Sequence, residues 1–181
     1  MHVPGDGSCL FHSILLASLA AKGVDVTTLS RTYIIRNSKK LRQAAVDYVI
    51  GHMRTPLGGI RGNLTGGELI LNEYASNNVD GEANIKDGPS YKRVMSRTTT
   101  YAGNTELIAL SALLKAKIVV HIKSGGESEF DTANTRGRIR VFSCILNQTK
   151  RLGYLIKTFD RVAEMAVVES KFKDEPTLVI N

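Results

Sequence analysis

The sequence predicts an α+β fold, and three observations lead there. Apolar residues recur at helical spacing through the earlier part of the chain, most clearly in Cys9 to Ala21, Lys39 to Met53 and the stretch after Asn104. The later part carries β-branched or alternating runs instead: Ile118 to Ile122, Arg138 to Ile145 and Leu152 to Phe159. Polar and glycine-rich segments separate these elements, and no internal repeat interrupts the order. Helices first, then antiparallel strands with a helix packed across them, is an α+β arrangement.

Taken in order, the first helix spans Cys9 to about Ala21. Leu10, Ile14, Leu15, Ala17 and Leu19 leave it little polar face, so it is expected to be buried, and Gly23 ends it. Asp25 to Arg36 satisfies no single template. Ser38 is placed to cap a second helix, Lys39 to Met53, with Leu41, Ala44, Ala45, Tyr48, Val49 and His52 along one face. Thr55 to Gly67 reads as a loop, and Thr65-Gly66-Gly67-Glu68 has the spacing of a capping box that opens a helix to about Ser76. Asn77 to Gly88 is a polar loop. Asp87-Gly88-Pro89 starts a short helix bearing Tyr91, Val94 and Met95, and Asn104 or Thr105 caps a stronger one with Leu107, Leu110, Ala112, Leu113 and Leu114 as its stripe. Ile118 to Ile122 is apolar enough for a central strand. Ser124 to Gly137 reads as a polar loop, Asn147 to Arg151 as a turn, Arg161 to Ser170 as a helix and Leu178 to Ile180 as a last short strand.

With 181 residues, 43% apolar and 23% charged, the chain is read as one globular domain spanning 1–181. No apolar run reaches membrane-spanning length, and no basic segment precedes the first helix as in a signal peptide. Two cysteines in dissimilar contexts do not make a disulfide framework, and a reducing compartment fits them. No paired-cysteine or histidine-cluster spacing suggests a metal site. The net charge is +7, but the basic residues are scattered and aromatics are only 6%. That reads as a solvated basic face, able to steer an acidic protein partner, rather than a nucleic-acid site.

The chemistry concentrates in Pro4-Gly5-Asp6-Gly7-Ser8-Cys9-Leu10-Phe11-His12, a glycine-rich loop running straight into the first helix. Gly5 and Gly7 let the backbone turn tightly. A helix start offers unpaired N–H groups and the positive end of the macrodipole. Both favour a thiolate at Cys9, and the same N–H groups suit the oxyanion formed by attack on a carbonyl. Cys144, in an apolar strand-like run, reads instead as a small buried hydrophobe.

Two separated motifs then resemble one family. Asp6-Gly7-Ser8-Cys9-Leu10-Phe11 is similar to the Asp-Gly-x-Cys-[Leu/Phe]-[Phe/Tyr] nucleophile motif of the ovarian-tumour (OTU) cysteine proteases. Tyr91 to Ile122 resembles that family's second block: a short helix ending near Met95, the turn Tyr101-Ala102-Gly103, the helix Glu106-Leu107-Ile108-Ala109-Leu110 and an Ile-Val-Val strand. The resemblance implies a papain-type α+β fold with a small, mostly antiparallel sheet packed between helices. It implies a deubiquitinase that cleaves isopeptide bonds after the C-terminal glycine of ubiquitin or a relative. Cys9 would be the nucleophile, the backbone from Asp6 to Cys9 the oxyanion hole, and Asp6 the residue that holds the loop in shape. The expected partner is ubiquitin, polyubiquitin or a ubiquitin-like modifier, with no cofactor, metal, nucleic acid or membrane involved. A monomer in the cytoplasm is expected, or in the host cytosol for a pathogen effector.

The pattern departs from the family at its late histidine. Thr158-Phe159-Asp160 keeps the aromatic and the acid but has threonine in the histidine's place, and no histidine follows His121. General-base assistance is worth about 10²–10⁴-fold in rate. Among the four histidines, His2 lies near the terminus, His12 three residues after Cys9 on the same helix, and His52 at the end of a packed face. His121, at the end of the central strand, is the base chosen in this reading, with Asp160 as the carboxylate that would orient it. The alternative is a ubiquitin-binding pseudoenzyme, motivated by Thr158.

Overall fold

The computed structural model describes residues 7–57, 64–74, 85–122, 127–131, 137–145 and 152–154. Helix α1 covers Cys9–Ala21 and is buried continuously from Cys9 to Ile14, the polar His12 and Ser13 included. Gly23, at φ 77°, closes it. The ambiguous stretch that follows divides in two. Asp25 caps a single 3₁₀ turn, Val26–Thr28, and Ser30 caps α2, Arg31–Gly51, by accepting from the Tyr33 N–H. The second helix therefore starts eight residues before the expected Lys39. Ser38, expected as its cap, lies within it and is buried. The run Thr32-Tyr33-Ile34-Ile35 hides the helix because it is strand-like in composition, yet only Ile34 of these turns inward.

Helix α3, Gly66–Tyr74, opens on the expected capping box: the Thr65 N–H donates to Glu68 Oε2 (2.8 Å), and the Glu68 N–H donates to Thr65 Oγ1 (3.2 Å). Helix α4, Gly88–Met95, is capped by Asp87 with Pro89 in its first turn. Helix α5 is Asn104–Leu114, and its N-cap is Gly103 rather than Asn104 or Thr105. A glycine cannot cap with a side chain. Glu73 reaches over from α3 and accepts from the N–H groups of Asn104 (2.6 Å) and Thr105 (2.7 Å). A Cβ on Gly103 would sit 2.0 Å from Glu73 Oε1, so only glycine admits this carboxylate.

Four strands follow among the described residues: β1 Ala116–Ile122, β2 Glu127–Phe130, β3 Gly137–Ile145 and β4 Leu152–Tyr154, in the order β2-β1-β3-β4. β1 is indeed interior. It pairs antiparallel with β2 (Ile118 opposite Phe130, His121 opposite Glu127) and parallel with β3 (Ile118 opposite Ile139, Val120 opposite Val141), while β3 and β4 are antiparallel. The parallel central pair departs from the expected run of antiparallel strands, and β2 is the reason. It lies inside the segment read as a loop. By folding back on β1 it returns the chain to the start of β1, so the next strand runs the same way. The expected helix at Arg161 to Ser170, the strand at Leu178 to Ile180 and the end of the strand at Leu152 to Phe159 lie outside the described residues.

Ala116, Ile118 and Val120 of β1 and Ile139 and Val141 of β3 face inward and join one core with α1, α2, α3, α4 and α5. Lys117, Arg138 and Glu129 take the opposite face, where Lys117 pairs with Glu129 at 2.7 Å.

The core also holds a carboxylate. Glu106 is fully buried; its Oε2 accepts from the Tyr74 hydroxyl (2.6 Å) and the Gly103 N–H (2.7 Å), and its other oxygen accepts from the Tyr91 hydroxyl. Burial, followed by the nearby charge of Glu73, pushes the Glu106 carboxyl above its ordinary value of 4.5. Burial, then Glu106, pushes both tyrosines up as well. A raised carboxyl stabilises the fold fully below pH 4.5 and progressively less as pH rises through its folded value. In urea unfolding from pH 4 to 8, wild type should therefore lose stability relative to Glu106→Gln as pH rises. Glu106→Ala, which strands two buried hydroxyls and the half-buried Gly103 N–H, should cost about 3 kcal/mol.

Candidate active site

The loop before Cys9 is built from backbone outward. Cys9 is the first residue of α1, and Ser8 is its N-cap. Serine normally caps by accepting from the helix's own first-turn N–H groups. Here Ser8 makes no side-chain cap, and its hydroxyl donates instead to the Thr98 carbonyl at 3.0 Å. The first intrahelical bond runs from the His12 N–H to the Ser8 carbonyl (3.0 Å). The first turn carries no acidic residue, and its backbone N–H groups lie at the positive end of the helix.

The turn linking α4 to α5 clasps this loop. A Cβ on Gly7 would lie 2.2 Å from the carbonyl carbon and oxygen of Thr99 and 2.6 Å from the Thr100 nitrogen, so the two backbones touch where Gly7 stands. Arg42 of α2 enters from below. Its Nη2 donates to the carbonyls of Gly7 (2.5 Å) and Thr100 (2.9 Å) and to Ser8 Oγ (3.4 Å), and its Nη1 donates to the Met95 carbonyl (2.9 Å). Its guanidinium carbon lies 4.4 Å from the centre of the Phe11 ring. Arg42 is 1% exposed. Sequence reasoning missed it, counting it among scattered surface cations; its place one residue after Leu41 on a buried helical face was the available signal.

Cys9 itself is 1% exposed, and His12, one turn along α1, is 4% exposed. Asp6, His2 and the Thr158-Phe159-Asp160 stretch lie outside the described residues. His52 is structural, as expected: it caps the end of α2, its Nδ1 bonds the Tyr48 carbonyl (2.8 Å), and its ring stacks on Tyr48 at 4.1 Å.

His121 is the penultimate residue of β1. Strand alternation puts it on the face of Lys117, opposite the inward Ile118 and Val120 that share a core with Cys9. Its Nδ1 is 2.9 Å from Glu127 Oε1, on the facing residue of β2. The structure thus supplies His121 with a carboxylate that sequence reasoning did not name, because β2 itself was unrecognised. Among the described residues, no three His, Cys, Asp or Glu side chains gather to hold a metal, and no helix is long and apolar enough to cross a membrane.

The sequence matches the family described as OTU-like cysteine protease over residues 4–159. The chain belongs to that family. Its described helices and small mixed sheet accord with the α+β fold expected of it. Comparison with solved structures includes the OTU domain of OTUD1, at 13% identity and a TM-score of 0.47, covering 86% of this chain and 83% of that one. Comparison with curated proteins returned no match. Membership gives the cysteine-protease class, and with it a deubiquitinase-type role and a ubiquitin partner at the level of the family.

The clasp around Gly7 makes a direct prediction. Gly7→Ala must displace either the loop or the turn at Thr99. It should lower stability by about 1–3 kcal/mol in thermal unfolding and slow iodoacetamide labelling of Cys9, read peptide by peptide in mass spectrometry. Ser18→Ala, remote on the same helix, should leave the labelling rate unchanged.

Proposed function

We propose that this protein is a cysteine isopeptidase that removes ubiquitin, or a close ubiquitin-like modifier, through an acyl-enzyme on Cys9. The observation that carries the reading is the placement of Cys9 as the first residue of a helix whose N-cap hydroxyl is turned away from it. The thiolate attacks the carbonyl after the modifier's C-terminal glycine. The developing oxyanion meets the first-turn N–H groups, and the amine leaves with a proton. Hydrolysis of the thioester by water then frees the modifier. Because Cys9 is almost fully enclosed, a slender glycine tail is the kind of acyl chain suited to reach it. His121, oriented by Glu127, is the proton carrier in this reading, and Asp6 is the loop's support. The protein acts as a monomer in the cytosol, without a cofactor.

Two observations favour a second reading, a ubiquitin-binding protein with an impaired centre. Thr158 stands where the family has its late histidine, and His121 Nδ1 is engaged by Glu127 at 2.9 Å.

A ubiquitin carrying a C-terminal thiol-reactive warhead separates the two. Intact mass should show one ubiquitin added to wild type, none to Cys9→Ala, and at least about 100-fold slower addition to His121→Ala. Full-speed labelling of His121→Ala would remove His121 from the mechanism. No labelling of wild type, with ubiquitin still bound, would establish the second reading.

A further inference from the structure

We infer that Arg42 is the positioning residue of the nucleophile: it sets the direction of the peptide groups leading into Cys9. This rests on the reading of Cys9 as a nucleophile. Nothing in the family match assigns Arg42 a role.

The Arg42 guanidinium joins distant parts of the chain. Its bonds gather three separate segments: Gly7 and Ser8 before Cys9, Met95 at the end of α4, and Thr100 in the turn that follows. In a trans peptide the N–H points opposite the C=O. Holding the Gly7 carbonyl inward therefore fixes the Ser8 N–H in the opposite direction, away from Arg42. The Ser8 hydroxyl is held as well, accepting from Arg42 while donating to Thr98, which keeps it off the helix end it would otherwise cap. The positive charge itself sits beside the first turn of α1, over Phe11, and adds to the field that favours a thiolate at Cys9.

A purely structural role explains this poorly. A buried cation is seldom the most stable filling for a core position; well-packed apolar residues usually serve as well or better. A lysine would keep the charge, but its point-like ammonium lacks the planar fork that reaches several carbonyls at once. Other titratable groups share the neighbourhood: His12 along α1, and Tyr91 of α4, whose hydroxyl is bound to Glu106 of α5.

The test measures Cys9 alkylation by iodoacetamide against pH, site-resolved by mass spectrometry, in wild type, Arg42→Lys and Arg42→Met, with circular dichroism reporting folding. Arg42→Met should move the alkylation midpoint up by on the order of one pH unit. Arg42→Lys should keep the midpoint near wild type but react with the ubiquitin warhead about 10-fold or more slowly, since charge is retained and geometry lost. In wild type, the Arg42 Nη signals in nitrogen NMR should shift when Cys9 is alkylated, a readout that needs no variant to fold. A folded Arg42→Met with the wild-type profile, an Arg42→Lys that labels at full speed, or Arg42 signals indifferent to Cys9 alkylation would each overturn the inference. A shifted alkylation profile in a protein that the warhead does not label would keep Arg42 and remove the isopeptidase reading. Equal warhead labelling of wild type and Arg42→Lys would do the reverse.

Discussion

Arg42 carries a full positive charge to a place almost closed to water, and it persists there because main-chain carbonyls receive it from several directions. Much of the amino-terminal half is arranged around that requirement. The Cys9 loop, the end of α4 and the turn before α5 each present a carbonyl to the guanidinium, so none can move far without stranding a charge. Gly7 allows the loop and the Thr99 turn to approach closely enough to share it. A second polar centre, around Glu106, repeats the logic with the opposite sign. One carboxylate gathers two tyrosines and a helix end, with Glu73 alongside to hold the same helix end from α3. The two centres adjoin through Tyr91, and together they tie α2, α3, α4 and α5 to the segment before α1.

The fold was legible where one local signal dominated. The apolar run after Cys9, the Thr65–Glu68 capping box, the Asp87-Gly88-Pro89 helix start and the β-branched run at Ile118 each produced the expected element. It failed where local composition and tertiary packing disagree. The start of α2 looks like a strand until Ser30 is seen to cap it, and Gly103 looks like a turn until Glu73 arrives from a distant helix. β2 was invisible for a related reason. A strand of Glu-Ser-Glu-Phe has little apolar content of its own and exists through its pairing with β1, with the Lys117–Glu129 ion pair and the His121–Glu127 contact across that pairing.

The site divides along the same line. The place of Cys9 at the start of α1 could be read because it depends on neighbours in sequence: a glycine before it and a helix after it. The parts that depend on distant neighbours could not be read. Neither Arg42 nor Glu127 stands out in a charged, polar context, and each gains meaning only from the segment the fold puts beside it. The reading of His52 as structural succeeded because its partners, Tyr48 above all, lie one turn away on the same helix.

β2 has a consequence beyond its effect on strand direction. In the described sheet it is an outermost strand, and such a strand offers unpaired backbone groups to any other chain that can align with it. Its sequence answers that hazard. Glu127 and Glu129 stand at alternate positions, so a second copy docking edge to edge would bring carboxylates close to carboxylates. Within one molecule the same two acids are matched by His121, Lys117 and Arg138. The ion pairs that recruit this short strand to its own sheet therefore also discourage that sheet from growing into its neighbours.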